Sequence, residues 1–386
     1  MLQPEYQSGS IVNLMASLSL GLGAGSLGYL PLPLLEPGRL QQYRNIVLLV
    51  IDGLGHQQLA RSRSGSTLRA YLQGSITSVF PTTTATAITT FFTGLAPQQH
   101  GLTGWHTWFR ELGCVLRVLP MRPRYGGAAL AEAGIDAARL FGHVPLFDLV
   151  HAHSHVVAPQ HIARSDFNAA HQGRARLHDF LTAEQMFAHI TDIVRAARER
   201  SYVYAYWPQL DAIAHAQGSG SDAAQDHLAE IDAGFARFLA GIHGSDTLVI
   251  VTADHGIIDT APQRVIELEQ HPELAEMLVL PLCGEPRVAY CYVHPERAQA
   301  FERYVRHALA PYAELWPSRE LVARNFFGLG MKHPRLHERI GDYTLIMKDN
   351  YVIKDWLLAE ARYSQVGVHG GLSEQELYVP LIVAAC

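Results

Sequence analysis

Three short runs of β-branched, aromatic and other apolar residues constrain the fold of this chain more than any other feature. They are Asn45–Ile51, Tyr202–Trp207 and Thr247–Thr252, and each is a continuous β-rich segment. A strand that is apolar along its whole length, and not only on alternate residues, is typical of a parallel sheet covered on both faces. The runs therefore predict strands buried at the centre of a parallel sheet.

Amphipathic helices precede and separate the two later runs. Apolar residues recur at helical spacing within Leu228–Ile242 and again within Ile190–Ala197. Thr182 and Gln185 fit a capping box at the start of the helix that contains Ile190–Ala197. Since helices alternate with buried strands, we expect right-handed crossover connections in an α/β fold.

The stretch from residue 257 to residue 366 interrupts this alternation. It contains a β-rich segment at Val288–Val293, an amphipathic helix around Ala298–Leu309, and short segments rich in arginine, histidine and aromatic residues. We interpret this stretch as a smaller α+β lobe inserted between two strands of the core.

The predicted fold is a mostly parallel central sheet flanked by helices, with that smaller lobe inserted. Leu377–Ala384 supplies the final strand, in which Pro380 favours an edge or bulge position. With 386 residues, the chain is too long for one simple core. We therefore expect a core of residues 1–256 and 367–386 and a cap-like lobe of residues 257–366.

Charge and composition exclude several classes of partner. Thirty Lys and Arg residues against 36 Asp and Glu give a net charge of −6, which excludes general attraction to nucleic acid or anionic lipid. Four cysteines without CxxC spacing do not form a disulfide scaffold. The apolar stretch Ile11–Leu34 lacks a basic start, and its glycines and prolines argue against a membrane span. We expect a soluble cytoplasmic protein, with its oligomeric state left open.

Side chains of types that bind metals lie next to the predicted strands: most of them follow a strand, and His369 comes shortly before the last one. Ligands of parallel α/β sheets bind beyond the carboxyl ends of the strands, so these positions face the expected site. Single Asp-x3-His or Asp-His pairs arise by chance in a chain with 21 histidines, and scattered polar caps are the alternative interpretation. The shared placement at strand ends instead predicts a metal site. The residues are Asp52, Asp211, His215, Asp254, His255 and His369.

A threonine-rich segment, Phe80–Gly94, predicts an extended chain that ends at Pro81 and a helix that stops at Gly94. A hydroxyl at the start of that helix lies where the helix dipole and free N–H groups stabilise an anion. An ordinary threonine N-cap is the alternative for any single residue. Composition leaves open which hydroxyl contacts the anion, among those of Thr82, Thr83, Thr84 and Thr86.

Taken in order, these motifs resemble the alkaline phosphatase superfamily, and within it the nucleotide pyrophosphatase/phosphodiesterase branch. Each motif alone is weak, whereas the ordered set is specific and spans most of the chain. The motifs are VIDG at 50–53, FPTTT at 80–84, TGLAPQQHG at 93–101, D-x3-H at 211–215, ADHG at 253–256 and GVHGG at 367–371.

The resemblance implies a two-metal hydrolase of small phosphate esters, such as nucleotides, that acts through a phospho-threonyl intermediate. Thr84 is then the nucleophile, and two metals clamp the attacking and leaving oxygens of an in-line transfer. Zinc is the usual metal of the family, and mixed imidazole and carboxylate ligands suit Zn²⁺, Mn²⁺ or Fe. The implied ligands are Asp52, Thr84, Asp254 and His255 for one metal and Asp211, His215 and His369 for the other.

The sequence departs from this branch at Ala87, where the family carries an asparagine that binds the phosphoryl oxygen. A phosphomonoesterase or a phosphonate hydrolase on the same core is therefore an alternative. A catalytically silent binding protein is disfavoured, because all seven implied positions are intact. Further candidates are Thr103, Trp105 and His106 for the pocket wall and, with surface charge as the favoured interpretation, Arg287, His333, Arg335 and Arg339 for substrate contact.

Overall fold

The computed structural model describes residues 1–62, 65–358 and 360–386 of the chain. Its strands belong to two large sheets and two short strand pairs. In chain order the strands are β1 Asn45–Ile51, β2 Leu72–Thr77, β3 His106–Phe109, β4 Cys114–Arg117, β5 Arg122–Pro123, β6 His153–Pro159, β7 Arg176–Phe180, β8 Ser201–Trp207, β9 Thr247–Thr252, β10 Ile258–Asp259, β11 Val265–Glu267, β12 Cys283–Glu285, β13 Val288–Cys291, β14 Ala313–Pro317, β15 Tyr343–Met347, β16 Val352–Lys354, β17 Gly367–Val368 and β18 Tyr378–Ala385.

Helices cover the sheets and connect the strands. A π-helical turn at Val305–Leu309 extends the helix that begins at Ala298. The α-helices are α1 Ile11–Gly21, α2 Pro37–Leu40, α3 His56–Ala60, α4 Thr67–Ala70, α5 Thr84–Thr93, α6 Pro97–His100, α7 Ala137–Phe141, α8 Leu146–Leu149, α9 Gln160–Ala163, α10 Asp166–Gln172, α11 Ala183–Ala196, α12 Gln209–Gln217, α13 Asp222–Gly241, α14 Pro272–Ala275, α15 Ala298–Tyr304, α16 Ser318–Ala323, α17 Leu336–Arg339 and α18 Glu374–Leu377.

The central sheet has seven strands in the order β2-β18-β9-β1-β8-β6-β7. Strands β9, β1, β8, β6 and β7 pair in parallel, and β18 pairs antiparallel with both β9 and β2. Every residue of β1, β8 and β9 is buried, because helices cover both faces of the sheet. The predicted α/β class and mostly parallel sheet are confirmed.

Strand β18 lies inside the sheet, and its proline is placed where the pairing changes. Residues up to Ile382 pair with β2, residues from Ile382 onward pair with β9, and the register shifts between Leu381 and Ile382. Pro380 lies one residue before this irregularity. Pro380 therefore pairs on one side only, next to a register irregularity, which agrees with the edge or bulge position predicted for it.

The apolar segment near the N-terminus forms α1, an eleven-residue helix of the hydrophobic core. Its side chains pack inside the protein, since ten of its residues are buried. Throughout the described residues, no helix combines the length and the apolar character that crossing a membrane requires.

A second sheet of seven strands lies beside the core, in the order β14-β15-β13-β12-β3-β4-β5. All of its pairs are antiparallel. The phenyl ring of Phe80, from the core, packs edge-on against Phe327 with centroids 5.0 Å apart. Because residues 106–123 contribute three strands to this sheet, it extends beyond the lobe expected at residues 257–366. The division into core and lobe stays a prediction.

A buried ion pair joins the second sheet to the last segment of the core. The Arg287 guanidinium donates to both carboxylate oxygens of Glu376, at 3.0 and 2.8 Å, and to the Tyr351 carbonyl at 2.7 Å. Glu376 also accepts from the Gly371 amide at 2.7 Å. Burial acts to raise the pKa of Glu376, but the Arg287 charge and the hydrogen bonds to this carboxylate together outweigh burial, and the pKa falls. This pair fixes the turn that contains His369.

We expect replacement of Arg287 by leucine to lower the free energy of unfolding by about 3–5 kcal/mol, because Glu376 would remain buried and unpaired. Arg362→Leu is the matched control, since the Arg362–Glu269 pair is 60% and 54% exposed and its loss should cost under ~1 kcal/mol. Urea unfolding of both variants measures the difference. A loss below 1 kcal/mol for Arg287→Leu would contradict this assignment.

Candidate metal centre

Three aspartates converge at the carboxyl edge of the central sheet, at the ends of neighbouring strands. Asp52 follows β1, Asp254 follows β9, and Asp211 lies in the first turn of α12 after β8. The Gly53 amide donates to Asp254 Oδ1 at 3.1 Å, which ties two of these strand ends together. All three carboxylates are therefore brought close together by the order β9-β1-β8.

The first group of side chains surrounds the hydroxyl of Thr84. Nε2 of His255 lies 3.1 Å from Thr84 Oγ1 and 3.4 Å from one oxygen of each of Asp52 and Asp254. Asp52, Asp254 and His255 each offer one ligand atom within 4.8 Å of the others, and all three are buried. The structure thus brings together the residues of the first ligand set implied by the sequence, and their binding of a metal stays a prediction.

The second group is arranged around Asp211. One oxygen of Asp211 lies 3.2 Å from Nε2 of His215, and the other lies 4.0 Å from Nε2 of His369. The His369 ring stacks on the His255 ring with centroids 3.8 Å apart. Asp211, His369 and His255 each offer one ligand atom within 4.8 Å of the others, so His255 belongs to both groups. The assignment of His215 to this metal stays a prediction.

Each of the three histidines is oriented by a backbone carbonyl. Nδ1 lies 3.1 Å from the Gly256 carbonyl in His255, 2.7 Å from that of Gly367 in His215, and 3.1 Å from that of Thr82 in His369. A proton on Nδ1 that donates to the carbonyl leaves Nε2 as a lone-pair donor facing the site. This is the arrangement by which proteins orient metal-binding imidazoles.

The electrostatics of the aspartates are dominated by burial and by their mutual repulsion. Burial first, and then the charges of Asp254 and Asp211, raise the pKa of Asp52 well above its usual range. Burial also raises the pKa of Asp254. Burial acts in the same direction on Asp211, but His215 outweighs it and lowers the pKa to about 2. Acids held this close together are stable only when they are protonated or when a positive charge compensates them.

Thr84 is the first residue of α5, and the fold places it beside the metal-binding groups. Thr83 is the N-cap, and Gly94 ends the helix with φ +73°. The helix predicted between Pro81 and Gly94 is thus confirmed. The amides of the first helical turn have no carbonyl within the helix to bond. Those of Thr84 and Ala85 are therefore available to an anion. Ala87, where the family carries asparagine, is fully buried.

The arginines that the sequence suggested for substrate contact differ in how exposed they are. Arg287 and Arg339 are 1% exposed and bound to protein groups, so the surface-charge interpretation is wrong for these two. Arg335 is 43% exposed at its side chain and pairs with Glu338 at 3.1 Å. On the other side of the site, the Trp105 amide donates to Glu285 at 2.7 Å.

Two residues near the site carry no local sequence signal. The Tyr206 hydroxyl, at the end of β8, donates to Asp52 Oδ2. Glu285, at the end of β12, accepts from the Thr83 hydroxyl at 2.6 Å, and its burial raises its pKa to about 7. Tyr206 belongs to an apolar run, and Glu285 lies about 200 residues from its partner, so sequence patterns identify neither.

Comparison with known proteins accounts for this arrangement. The family model for type I phosphodiesterase/nucleotide pyrophosphatase matches residues 46–372, which include every side chain described at the site. The chain belongs to this family. No curated protein matches it by sequence. The family is one of metal-dependent hydrolases of phosphate esters, so the chain is a phosphodiesterase/pyrophosphatase-like hydrolase of the alkaline phosphatase superfamily.

Solved structures of this family and its superfamily share the fold. Murine ectonucleotide pyrophosphatase/phosphodiesterase 5 is 18% identical, with a TM-score of 0.66 and 87% coverage of both chains. The human counterpart is 15% identical, with a TM-score of 0.67 over 88% of this chain and 87% of that one. Phosphonoacetate hydrolase from Sinorhizobium meliloti 1021 is 19% identical, with a TM-score of 0.62 over 89% and 90%.

We expect Tyr206→Phe to weaken zinc binding by about 10–100-fold, because Asp52 loses the hydroxyl that orients it. Tyr202→Phe is the matched control: it removes a buried hydroxyl from the same strand, and within the described residues that hydroxyl has no partner. Competition with a zinc chelator measures both affinities. Equal affinity in the two variants would show that Tyr206 does not orient a metal ligand.

Proposed function

We propose that the protein hydrolyses phosphodiesters or nucleotide pyrophosphate bonds with two divalent metals, of which zinc is the expected ion, through a phospho-threonyl intermediate on Thr84. The observation that carries this proposal is the approach of His255 Nε2 to within 3.1 Å of the Thr84 hydroxyl, beside one buried and one partly buried group of acids and imidazoles. Family membership supports the class of reaction, and the site geometry supports the choice of nucleophile.

The donor atoms fit a pair of metals of this kind. In the described part of the chain, Asp52 Oδ1, Asp211 Oδ1 and Asp254 Oδ2 are buried without a hydrogen-bond partner. A buried acceptor without a partner destabilises the folded protein. Three such carboxylate oxygens beside imidazole nitrogens form a ligand set suited to Zn²⁺. Asp52, Asp254, His255 and Thr84 would hold one ion, and Asp211, His215 and His369 the other.

When bound, the metals supply Lewis-acid stabilisation of the attacking and leaving oxygens. The Thr84 hydroxyl would lose its proton to water, and Oγ1 would form the new bond to phosphorus as the bond to the leaving oxygen breaks. The leaving oxygen would take up a proton from water, and a water molecule would then hydrolyse the phosphothreonine. The position of Thr84 as the first residue of α5 places the attacking oxygen beside amides that accept negative charge from the phosphoryl group. Burial of the surrounding side chains strengthens these interactions by excluding water.

The substrate class follows from a solved relative. An inactive threonine-to-alanine variant of the murine ectonucleotidase, which is similar to this chain over 87% of its length, binds AMP. A nucleotide ester is therefore the expected kind of substrate. Hydrolysis of phosphonates is the second candidate, because phosphonoacetate hydrolase shares the fold and because Ala87 removes the asparagine expected of the phosphodiesterase branch.

Replacement of Thr84 by alanine should lower kcat on bis-p-nitrophenyl phosphate by at least about a thousandfold, because the variant lacks the nucleophile. Zinc content and the unfolding midpoint should stay close to those of the wild type. Thr86→Ala, which removes a buried threonine hydroxyl from the same turn, is the matched control and should retain turnover. Thr84→Ser keeps a hydroxyl and should retain part of the activity.

Two outcomes would contradict the proposal. Substantial turnover by Thr84→Ala would show that another group attacks phosphorus. Turnover of p-nitrophenyl phosphate or phosphonoacetate, with neglect of the diester by the wild type, would support monoester or phosphonate hydrolysis and overturn the diesterase assignment. Metal analysis that finds fewer than one transition metal per chain, with no turnover, would favour a silent binding protein.

A further inference from the structure

Thr83 occupies the N-cap of the nucleophile helix but does not act as a cap. A threonine at this position ordinarily accepts a hydrogen bond from the amide two or three residues on, as Thr182 does from Gln185 at 3.3 Å. Thr83 has the extended backbone of an N-cap, with φ −144° and ψ 149°, yet its side chain makes no capping bond. Its hydroxyl donates to Glu285 instead, at 2.6 Å.

Glu285 is held firmly in the position that receives this hydroxyl. The same carboxylate oxygen, Oε1, also accepts from the Trp105 amide at 2.7 Å. The stem of Glu285 packs on Gly370, where an added Cβ would lie 2.8 Å from Glu285 Cβ. Gly370 has φ +117°, a conformation that favours glycine, and it follows His369 directly. The carboxylate therefore lies between the start of α5, the Trp105 loop and the turn of His369.

The missing cap leaves backbone donors at the start of α5 unused. The Thr86 amide donates to the Thr83 carbonyl at 3.1 Å, so the backbone satisfies the third amide of the helix. The amides of Thr84 and Ala85 then remain for a ligand, beside the hydroxyl that attacks phosphorus. Ala87, one residue beyond this turn, has no side-chain donor to add to them.

We propose that Glu285 is a positioning residue that keeps these first amides of α5 free for the phosphoryl oxygens by holding the Thr83 hydroxyl away from them. The inference rests on the proposed function, because it assigns the phosphoryl group to the N-terminus of α5. The proposed role of Glu285 differs from an ordinary anchoring contact in one respect. The Thr83 hydroxyl weakens phosphate binding when it is released from Glu285, but phosphate binding does not itself require this hydroxyl.

The test compares inorganic phosphate binding and diester turnover in zinc-loaded variants. In Glu285→Ala the freed hydroxyl caps the helix, so we expect phosphate to bind about tenfold more weakly, with a fall of at least that size in kcat on bis-p-nitrophenyl phosphate. Thr83→Val, which has no hydroxyl to release, should stay within about threefold of wild type. The double variant, Glu285→Ala with Thr83→Val, should bind phosphate as well as Thr83→Val alone does.

Two further variants complete the comparison. Glu285→Gln keeps an oxygen acceptor and should bind phosphate almost as the wild type does. Thr89→Val removes a buried hydroxyl of the same helix that donates only to the Ala85 carbonyl, at 2.7 Å, and should leave binding and turnover unchanged. Phosphate affinity is measured by calorimetry, so it is obtained even where turnover is lost.

Each alternative result has a distinct meaning. A double variant that binds phosphate as weakly as Glu285→Ala does would overturn the inference. That result is expected if Glu285 only stabilises the local structure, because removing the Thr83 hydroxyl as well would not restore the structure. Thr83→Val as weak as Glu285→Ala would overturn it as well, because the hydroxyl would then contribute to binding. Wild-type protein that binds phosphate but hydrolyses no ester would refute the proposed function, whereas the calorimetric series would still decide the role of Glu285.

Discussion

Repulsion among three buried aspartates is the constraint on which the rest of this site depends. Asp52, Asp211 and Asp254 lie at the ends of neighbouring strands, and each is almost or fully enclosed by protein. Carboxylates so close together in a low-dielectric setting are stable only when protonated or when cations lie between them. Protonation is the outcome that burial favours for Asp52, whereas the imidazoles around these oxygens favour cations.

The architecture makes this concentration of charge possible. Parallel strands bring their carboxyl ends to one edge, so residues from distant parts of the chain converge without long loops. The Arg287–Glu376 pair then fixes the turn of His369 against the second sheet. The start of α5 completes the arrangement by placing the Thr84 hydroxyl, the proposed nucleophile, beside His255. In the proposed mechanism, a phosphoryl anion and two metals would bind within the same small volume.

Much of the fold is predictable because it depends on local patterns. Fully apolar runs identified β1 and β9, and the Pro81 and Gly94 boundaries identified α5. The second sheet was harder, because His106–Phe109 and Cys114–Arg117 are too short for a clear periodicity and pair with strands far along the chain. For that reason the sequence placed residues 106–123 in the core, and the structure places them in the second sheet.

The site shows the same division between local and distant information. Strand ends and ordered motifs were sufficient to select the acids, the histidines and Thr84. The hydrogen bonds that orient them, from Tyr206 to Asp52 and from Thr83 to Glu285, join residues more than 150 positions apart and leave no trace in a single sequence. The position of His255 between both acidic groups likewise depends on side-chain packing.

Anomalous X-ray diffraction at the zinc edge, from crystals of the zinc-loaded protein, tests the central claim most directly. We expect two anomalous peaks roughly 3.5–4 Å apart, between the three aspartates and beside Thr84 Oγ1. A map without anomalous density among these side chains, at full zinc saturation and with the carboxylates in the positions described, would contradict it. The acids would then be neutralised by protons, and catalysis by two metals would have no basis in this fold.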